Sequence, residues 1–574
     1  MGRCRFVDEL HRLRKSSSES IDNIEKFDSF KKYMHVIRTV EDDLKGVLRK
    51  TNELGKKTLI LVCGSAGDGK SHLLSYLKNS DDEQLINNYY IHNDATESNS
   101  PSMTAIQTLN VILDGFKDCN LNKPGKNIIL AINLGVLSNF IESEFGKEFN
   151  KLREYVEKNN ILTTQINKNE FDEQSCFQHI SFADYHMYSL TEEGIHAGYI
   201  EKIMKKIFDK TDENIFFLAY KSNCFDCPLS QKCPVKMNYE YLMDCKRQKY
   251  IAELLIMSVI QDKMILTTRE VLNFVYDILV HPNFSYTEFQ KLLVNDEKYL
   301  KEFMKQITPA LIFDSVDVSS LMNRLQKFDP LLSRSEKADL EAISYYVSSD
   351  VSSQITEIFK TTSYKEIMCN LGNILKINNN RLLKSNLFNL IVRVRHIDTN
   401  DTKNNVYKNY IKDLFMFNAG KSKKLGTLYS MIEKSVIQWC GNDEDGNICL
   451  YGKNPNYCIY EKVKFKENIN HLPDETDLNE LQRFVPQLVV AFENLEGKQI
   501  LLEIDYSLYE LIYKLNQGYI QTADDRNNHA DFVTFVNRIL QTGSLSESIS
   551  IFSTDGKKAS MFKNMFGYNF KVVR

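Results

Sequence analysis

Residues 58–74 read TLILVCGSAGDGKSHLL, and their pattern changes character twice. Thr58 to Cys63 is an unbroken apolar and β-branched run ended by glycine, which predicts a strand buried on both faces. From Lys70 onward, Leu73, Leu74 and Leu77 recur at helical spacing and predict a helix. Between the two, Gly64, Gly69, Lys70 and Ser71 fit G-x-x-x-x-G-K-[ST]. On average residue frequencies this pattern arises by chance on the order of 0.02 times in a chain of this length, so coincidence is a poor account of it. In such a loop, Gly64, Ser65, Ala66, Gly67, Asp68 and Gly69 let successive backbone N–H groups turn inward on a phosphate, and the following helix adds its positive end. Lys70 is expected to reach β- and γ-phosphate oxygens, and the Ser71 hydroxyl to complete a Mg²⁺ shell around a bound nucleotide, ATP or GTP.

Outward from this loop, β-branched runs alternate with longer helical patterns. Strands are expected at 58–63, 88–93, 127–132 and 176–182, and helices near 70–78, 103–116, 136–157 and 196–209. Strand, helix, strand at that spacing implies a parallel sheet covered by helices. The expected fold is therefore α/β, a P-loop NTPase core of AAA- or STAND-like kind with a helical lid, a Cys-rich insertion and a mixed α+β C-terminal region. The expected divisions are an N-terminal helical segment (1–53) with a Ser-rich hinge at 16–20, the core (54–285) with its insertion at 220–246, a helical domain (286–435) and the mixed domain (436–574), in which strands flank Asn494–Lys498.

Hydrolysis needs an acid near the end of a neighbouring strand, to hold Mg²⁺ or position water. The third strand ends in Asn133 where such an acid would stand. Two readings stay open. Either Asp94 and Glu97, just past the second strand, are the acids, or Asn133 is a sensor amide facing the γ-phosphate and the acidic strand lies elsewhere. Thr267 and Glu270 form a capping box that starts a further helix. Arg269 then falls in its first turn, where the helix dipole opposes a cation by about 0.3 to 1 kcal/mol. A cation so placed is a candidate γ-phosphate ligand, or else an ion-pair partner of Glu270.

Cys224, Cys227 and Cys233 have C-x2-C-x5-C spacing, and Cys245 follows. Two thiolates three apart can share one ion, so Zn²⁺ or an iron–sulfur cluster on these four is expected in a structural role; reduced, partly buried thiols are the plain alternative.

Lys and Arg total 72 against 76 Asp and Glu, a formal charge of −4. Gripping DNA alone demands a surplus of cations, so the balance argues against an autonomous DNA-binding protein. Local candidates for DNA contact are Arg3, Arg5, Arg12, Arg14 and Lys15, and Lys421, Lys423 and Lys424. No signal-peptide-length apolar run opens the sequence and no stretch has the length of a membrane span, which predicts a cytoplasmic protein. Neither a P-D-x(n)-E-x-K string in a β-rich context nor an HNH-like histidine cluster is present.

CGSAGDGKSHLL (63–74), HNDATES (92–98), AINLGVLSNF (131–140), CFDCPLSQKCPVKMN (224–238) and LEIDYSLYELIYKLNQGY (502–519), in that order, give the chain a wider resemblance. It resembles the DptF family, the P-loop component of DNA phosphorothioation-dependent (Dpt or Dnd) restriction systems, over most of its length. That resemblance implies a part in bacterial antiviral defence: an ATP-hydrolysing subunit acting beside a second protein and a larger translocase-like ATPase, with double-stranded DNA lacking the sulfur mark as the target and the cutting residues on a partner. A nucleotide-binding regulatory scaffold without appreciable turnover and a STAND-type signalling ATPase are the competing expectations.

Overall fold

The fold is a computed structural model that describes residues 4–14, 29–65, 67–80, 83–93, 103–162, 171–333, 336–348, 350–378, 380–400, 405–443, 447–451, 456–461, 466–493, 497–541, 549–553, 555–565 and 567–573. The chain divides into two compact units, one of residues 1–188 and 197–402, the other of residues 189–196 and 403–574.

The first unit is built on a sheet of β1 (Leu59–Cys63), β2 (Tyr89–His92), β3 (Asn127–Ile132) and β4 (Phe177–Ser181) in the order β2-β3-β1-β4. All its pairings are parallel. Because successive side chains of a strand point to opposite faces, β1 serves two apolar layers. Leu59, Leu61 and Cys63 join Leu130 and Ile132 of β3 under α4 (Ala105–Ile112), α5 (Leu134–Glu142) and α6 (Asn150–Lys158). Ile60 and Val62 face α2 (Thr39–Leu54) and α3 (Lys70–Ser80), meeting Leu44, Leu48, Leu73, Leu74 and Leu77. Parallel strands covered on both faces are rich in apolar residues, and β1, buried along its whole length, is apolar throughout.

The helix expected over 136–157 is two, α5 and α6, joined by the short turn Phe145–Glu148. At Gly146 a Cβ would lie 2.0 Å from the carbonyl oxygen of Ile141, so the chain doubles back where only glycine fits. The segment before the core is likewise broken, into Ser29–Met34 and α2, with residues 35–38 in neither helix nor strand between them. The Ser-rich stretch at 16–20 lies outside the described residues.

Helices continue the first unit through α7 (Ile215–Cys224), α8 (Pro234–Leu242), α9 (Cys245–Asp262) and α10 (Thr268–Asp277) to the helix Arg381–Thr399, with α1 (Arg5–Leu10) packed against α7. Asp244 separates α8 from α9 by accepting from the Lys246 N–H. In the second unit, strand Leu488–Glu493 pairs antiparallel with Gln499–Ile504 and Lys466–Asn468, and a five-stranded antiparallel sheet ends in Gly567–Val573. Among the described residues no helix is long and apolar enough to cross a membrane.

Candidate functional site

An all-parallel sheet brings the carboxyl ends of its strands to one edge, where ligands of open α/β sheets bind. Gly64 leaves β1, Asn93 leaves β2, Asn133 leaves β3 and Phe182–Asp184 leaves β4. The Gly64 N–H donates to the carbonyl oxygen of Ile132 at 3.1 Å, which ties the exit of β1 to that of β3. Asn93 Oδ1 is buried with no hydrogen-bond partner among the described residues.

The Gly64–Ser71 loop closes on itself. The Ser65 N–H donates to Asp68 Oδ2 at 2.5 Å, and the Lys70 ammonium donates to the carbonyl oxygens of Gly64 at 2.9 Å and Ser65 at 2.6 Å. Lys70 therefore lies over the loop, its ammonium on two backbone carbonyls and its charge acting on the Asp68 carboxyl. Ser71 is the second residue of α3, whose first-turn amides have no partner within the helix. Burial pushes the Asp68 carboxyl up, against the pull of Lys70 and Arg38. Ala66 lies outside the described residues.

Two distant segments brace the loop. Arg38, extended just before α2, donates to the carbonyl oxygens of Asp68 at 2.9 Å and Tyr185 at 3.0 Å. Its guanidinium lies over the rings of Phe182 at 5.7 Å and Tyr199 at 5.2 Å. On the other side stands the start of α10. Gly67 has φ +87°, and a Cβ there would come within 2.8 Å of Thr267 Cγ2. The capping box is formed: the Glu270 N–H donates to Thr267 Oγ1 at 3.2 Å and the Thr267 N–H to Glu270 Oε2 at 2.8 Å. Arg269 is thus in a turn whose cap touches the loop, and Thr268 Oγ1 is 2.9 Å from the Tyr199 hydroxyl.

Beneath the loop, His72 Nε2 is 3.1 Å from His35 Nδ1, and the His35 ring stacks on Tyr76 at 3.6 Å. His35 Nε2 is 3.0 Å from Glu41 Oε2, and Lys45 is 2.9 Å from the other Glu41 oxygen. Burial, then the charges of His35 and Lys31, hold His72 down to about 4, so its ring is neutral near neutral pH. The Cys63 thiol, pushed up to about 12 by burial, is a packing group and no nucleophile.

Asn133 is the N-cap of α5, its Oδ1 accepting from the Val136 N–H at 2.7 Å. Asp94 and Glu97 lie outside the described residues. Sequence reasoning missed Asp184, a buried carboxylate just past β4 that acts on Cys63 in opposition to Lys70. An acid two residues past the expected strand 176–182 was its signal. It also missed Arg38 and the His35–His72 pair, which become neighbours of the loop only in three dimensions.

The twelve cysteines are free thiols. Cys224 is buried, Cys227 and Cys233 are partly so, and Cys245 is exposed at the first residue of α9. Among the described residues no three His, Cys, Asp or Glu side chains are arranged as a ligand set for a metal ion. Of the cations considered for DNA, Arg14 pairs with Asp277 at 3.1 Å, Arg12 with Glu9 at 2.6 Å and Lys424 with Glu192 at 2.8 Å. Lys421 stands over the Phe415 ring at 5.4 Å, Arg5 and Lys423 are exposed, and Arg3 and Lys15 lie outside the described residues.

Compared with protein-family models, curated proteins and solved structures, the chain matches none.

Proposed function

We propose that the chain is an ATP-binding, ATP-hydrolysing P-loop subunit of a bacterial restriction complex that attacks DNA lacking phosphorothioate marks. The observation that carries the nucleotide reading is the loop itself. A glycine-rich turn with Lys70 folded over it joins a fully buried parallel strand to a helix N-terminus, at the carboxyl edge of the sheet. Amides of residues 64–71 and the Lys70 ammonium suit a triphosphate, and the Ser71 hydroxyl suits its Mg²⁺. A bound Mg·ATP would supply the phosphoryl group to be transferred to water. The chain's own part is to cradle the phosphates, to bring Lys70 off the loop carbonyls onto phosphate oxygens, and to orient water through an acid at the same edge. Asp184, Asp94 and Glu97 are the candidate acids, and Asn93, Asn133 and Arg269 the candidate polar contacts.

The restriction role, with its partner proteins and its access to duplex DNA through the complex, is supported by the five sequence strings that resemble the DptF family. The engagement of Asn133 in capping α5 favours one second reading, a nucleotide-binding scaffold without turnover. Calorimetry with Mg·ATP and Mg·GTP, followed by steady-state phosphate release, separates them. ATP binding with turnover abolished in Lys70→Ala is expected; binding without turnover would establish the scaffold, and no binding of either nucleotide would remove both.

A further inference from the structure

We propose that the hairpin of strands Lys558–Asn564 and Gly567–Val573 is a DNA-binding ribbon, its exposed rings wedged into the minor groove of a duplex and its lysines on the flanking phosphates. Charge is the first observation. From Gly556 to Arg574 the sequence carries Lys557, Lys558, Lys563, Lys571 and Arg574 and no Asp or Glu, inside a chain of formal charge −4. Interleaved with these cations are Phe562, Phe566, Tyr568 and Phe570. An anionic polymer demands a surplus of cations, and here the surplus is confined to one element, where the balance over the whole chain conceals it.

Geometry sets the same element apart. The two strands pair along their full length, from Lys558 opposite Val573 to Asn564 opposite Gly567. Among the described residues, the next strand, Ile549–Ser553, pairs only with Lys558–Met561. The hairpin therefore runs on past that pairing, by about 10 Å at the rise of a strand, and Gly567–Val573 is the outermost strand of its sheet. Alternation places Tyr568, Phe570 and Val572 on one face, and all three are exposed, Phe570 at 67%. Met565, at the turn, is 99% exposed. Contiguous apolar surface this open marks a place where something docks. Phe and Met are among the side chains with which minor-groove proteins part base steps, bending the duplex so that it meets more protein surface. Lys557 and Lys571 are exposed beside these rings, and the Lys558 ammonium stands 4.8 Å from the Phe552 ring; their long stems carry the charge out to phosphates. An acidic protein strand added at the sheet edge would use the backbone of Gly567–Val573 and leave the rings uncovered, whereas a duplex meets rings and cations together. None of this depends on the nucleotide loop, and only the choice of DNA over RNA rests on the restriction reading.

The test is fluorescence anisotropy of the full chain, without nucleotide, on a mixed-sequence duplex DNA over a salt series, with duplex RNA and polyglutamate as further arms. Binding to DNA is expected in about the 10⁻⁶ to 10⁻⁴ M range at physiological salt, weakening steeply as salt rises. Lys571→Gln is expected to reduce the slope of log affinity against log salt by about 0.9, the loss of one phosphate contact. Lys291→Gln, which removes an exposed lysine from the helix Tyr286–Leu292, is expected to leave that slope unchanged. Phe570→Thr keeps a strand-forming residue and is expected to weaken binding about tenfold at unchanged slope, with less bending of end-labelled DNA. No salt-dependent binding, a wild-type slope in Lys571→Gln, wild-type affinity in Phe570→Thr, or binding to duplex RNA or polyglutamate as tight as to DNA would each overturn the proposal. Because the assay holds no partner protein, a failure in it strikes the ribbon alone; the restriction reading falls instead if no DNA-defence protein co-purifies with the chain from its native host.

Discussion

At Gly67 two constraints coincide, a backbone with φ +87° and the Thr267 methyl where a Cβ would stand. An L side chain in the left-handed region costs about 1 to 2 kcal/mol, and the contact adds to it. Gly67→Ala is expected to lower stability by at least that amount in urea unfolding and to weaken Mg·ATP binding. Thr267→Ser removes the Cγ2 methyl but keeps the capping hydroxyl. Placed in the Gly67→Ala background it is therefore expected to restore part of both losses, while costing little alone. A double-mutant cycle measures the difference, and an additive result would mean that the start of α10 and the loop do not press on each other. Arg38 offers a parallel case in which the contacts are polar, its guanidinium holding the carbonyls of Asp68 and Tyr185. Arg38→Met removes the guanidinium that lies over Phe182 and Tyr199 and leaves both carbonyls without that donor, while keeping an unbranched apolar stem, so nucleotide affinity is expected to fall several-fold while the fold persists. Calorimetry with near-UV circular dichroism reads the two effects separately.

At the scale of an element, Asn133 decides how α5 begins. Its side chain accepts from the Val136 N–H, and loss of such a cap costs about 1 kcal/mol. Asn133→Ala is expected to lower the urea midpoint accordingly, whereas Asn133→Asp keeps an acceptor in place and is expected to leave stability within about 0.5 kcal/mol of wild type. If Asn133 also faces the γ-phosphate, Asn133→Asp will slow phosphate release through repulsion even though it folds. The same residue shows what was legible in the sequence. An Asn directly before Leu134-Gly135-Val136-Leu137 is an N-cap signal, open to reading, yet the expectation of an acid at a strand end drew attention away from it. Strands β1 to β4 were legible to within one residue at each end: β1 and β3 are buried apolar runs ended by Gly64 and Asn133, whereas β2 and β4 carry polar residues and showed through their aromatic and β-branched ones. The break between α5 and α6 was not, since Ile141, Phe145, Phe149 and Leu152 recur at helical spacing across Gly146, where the glycine packs against the carbonyl of Ile141.

Over the whole molecule, what the sequence hid were long-range meetings: Arg38 with the loop, Phe6 of α1 with Tyr220 and Tyr239 more than two hundred residues away, and His35 with His72. The last pair gives the fold a dependence on pH. His72 titrates at about 4 in the fold against 6.5 for an unperturbed ring, because burial and then the charges of His35 and Lys31 disfavour its cation. A depressed folded value means that the unfolded chain binds the extra proton between those limits. The contribution of neutral His72 is therefore complete above about 6.5 and is lost as pH falls toward about 4, a change on the order of 3 kcal/mol. Glu41 acts in the same sense further into acid: hydrogen bonds from His35 and Lys45 outweigh burial and hold its carboxyl below the ordinary 4.5, so its contribution too is lost on acidification. Asp277 opposes both, since burial raises it to about 6 against the pull of Arg14, and protonation then relieves a buried charge. The His72 term is isolated by difference. His72→Gln preserves a polar side chain beside His35 and removes the titration, so wild-type stability is expected to fall relative to that variant as pH drops from about 6.5 to about 4 in urea titrations, with the gap constant above 7. Equal slopes for the two proteins across that window would mean that His72 is solvated well enough to ionise in place, and that the stacked histidines beneath the loop carry no electrostatic load.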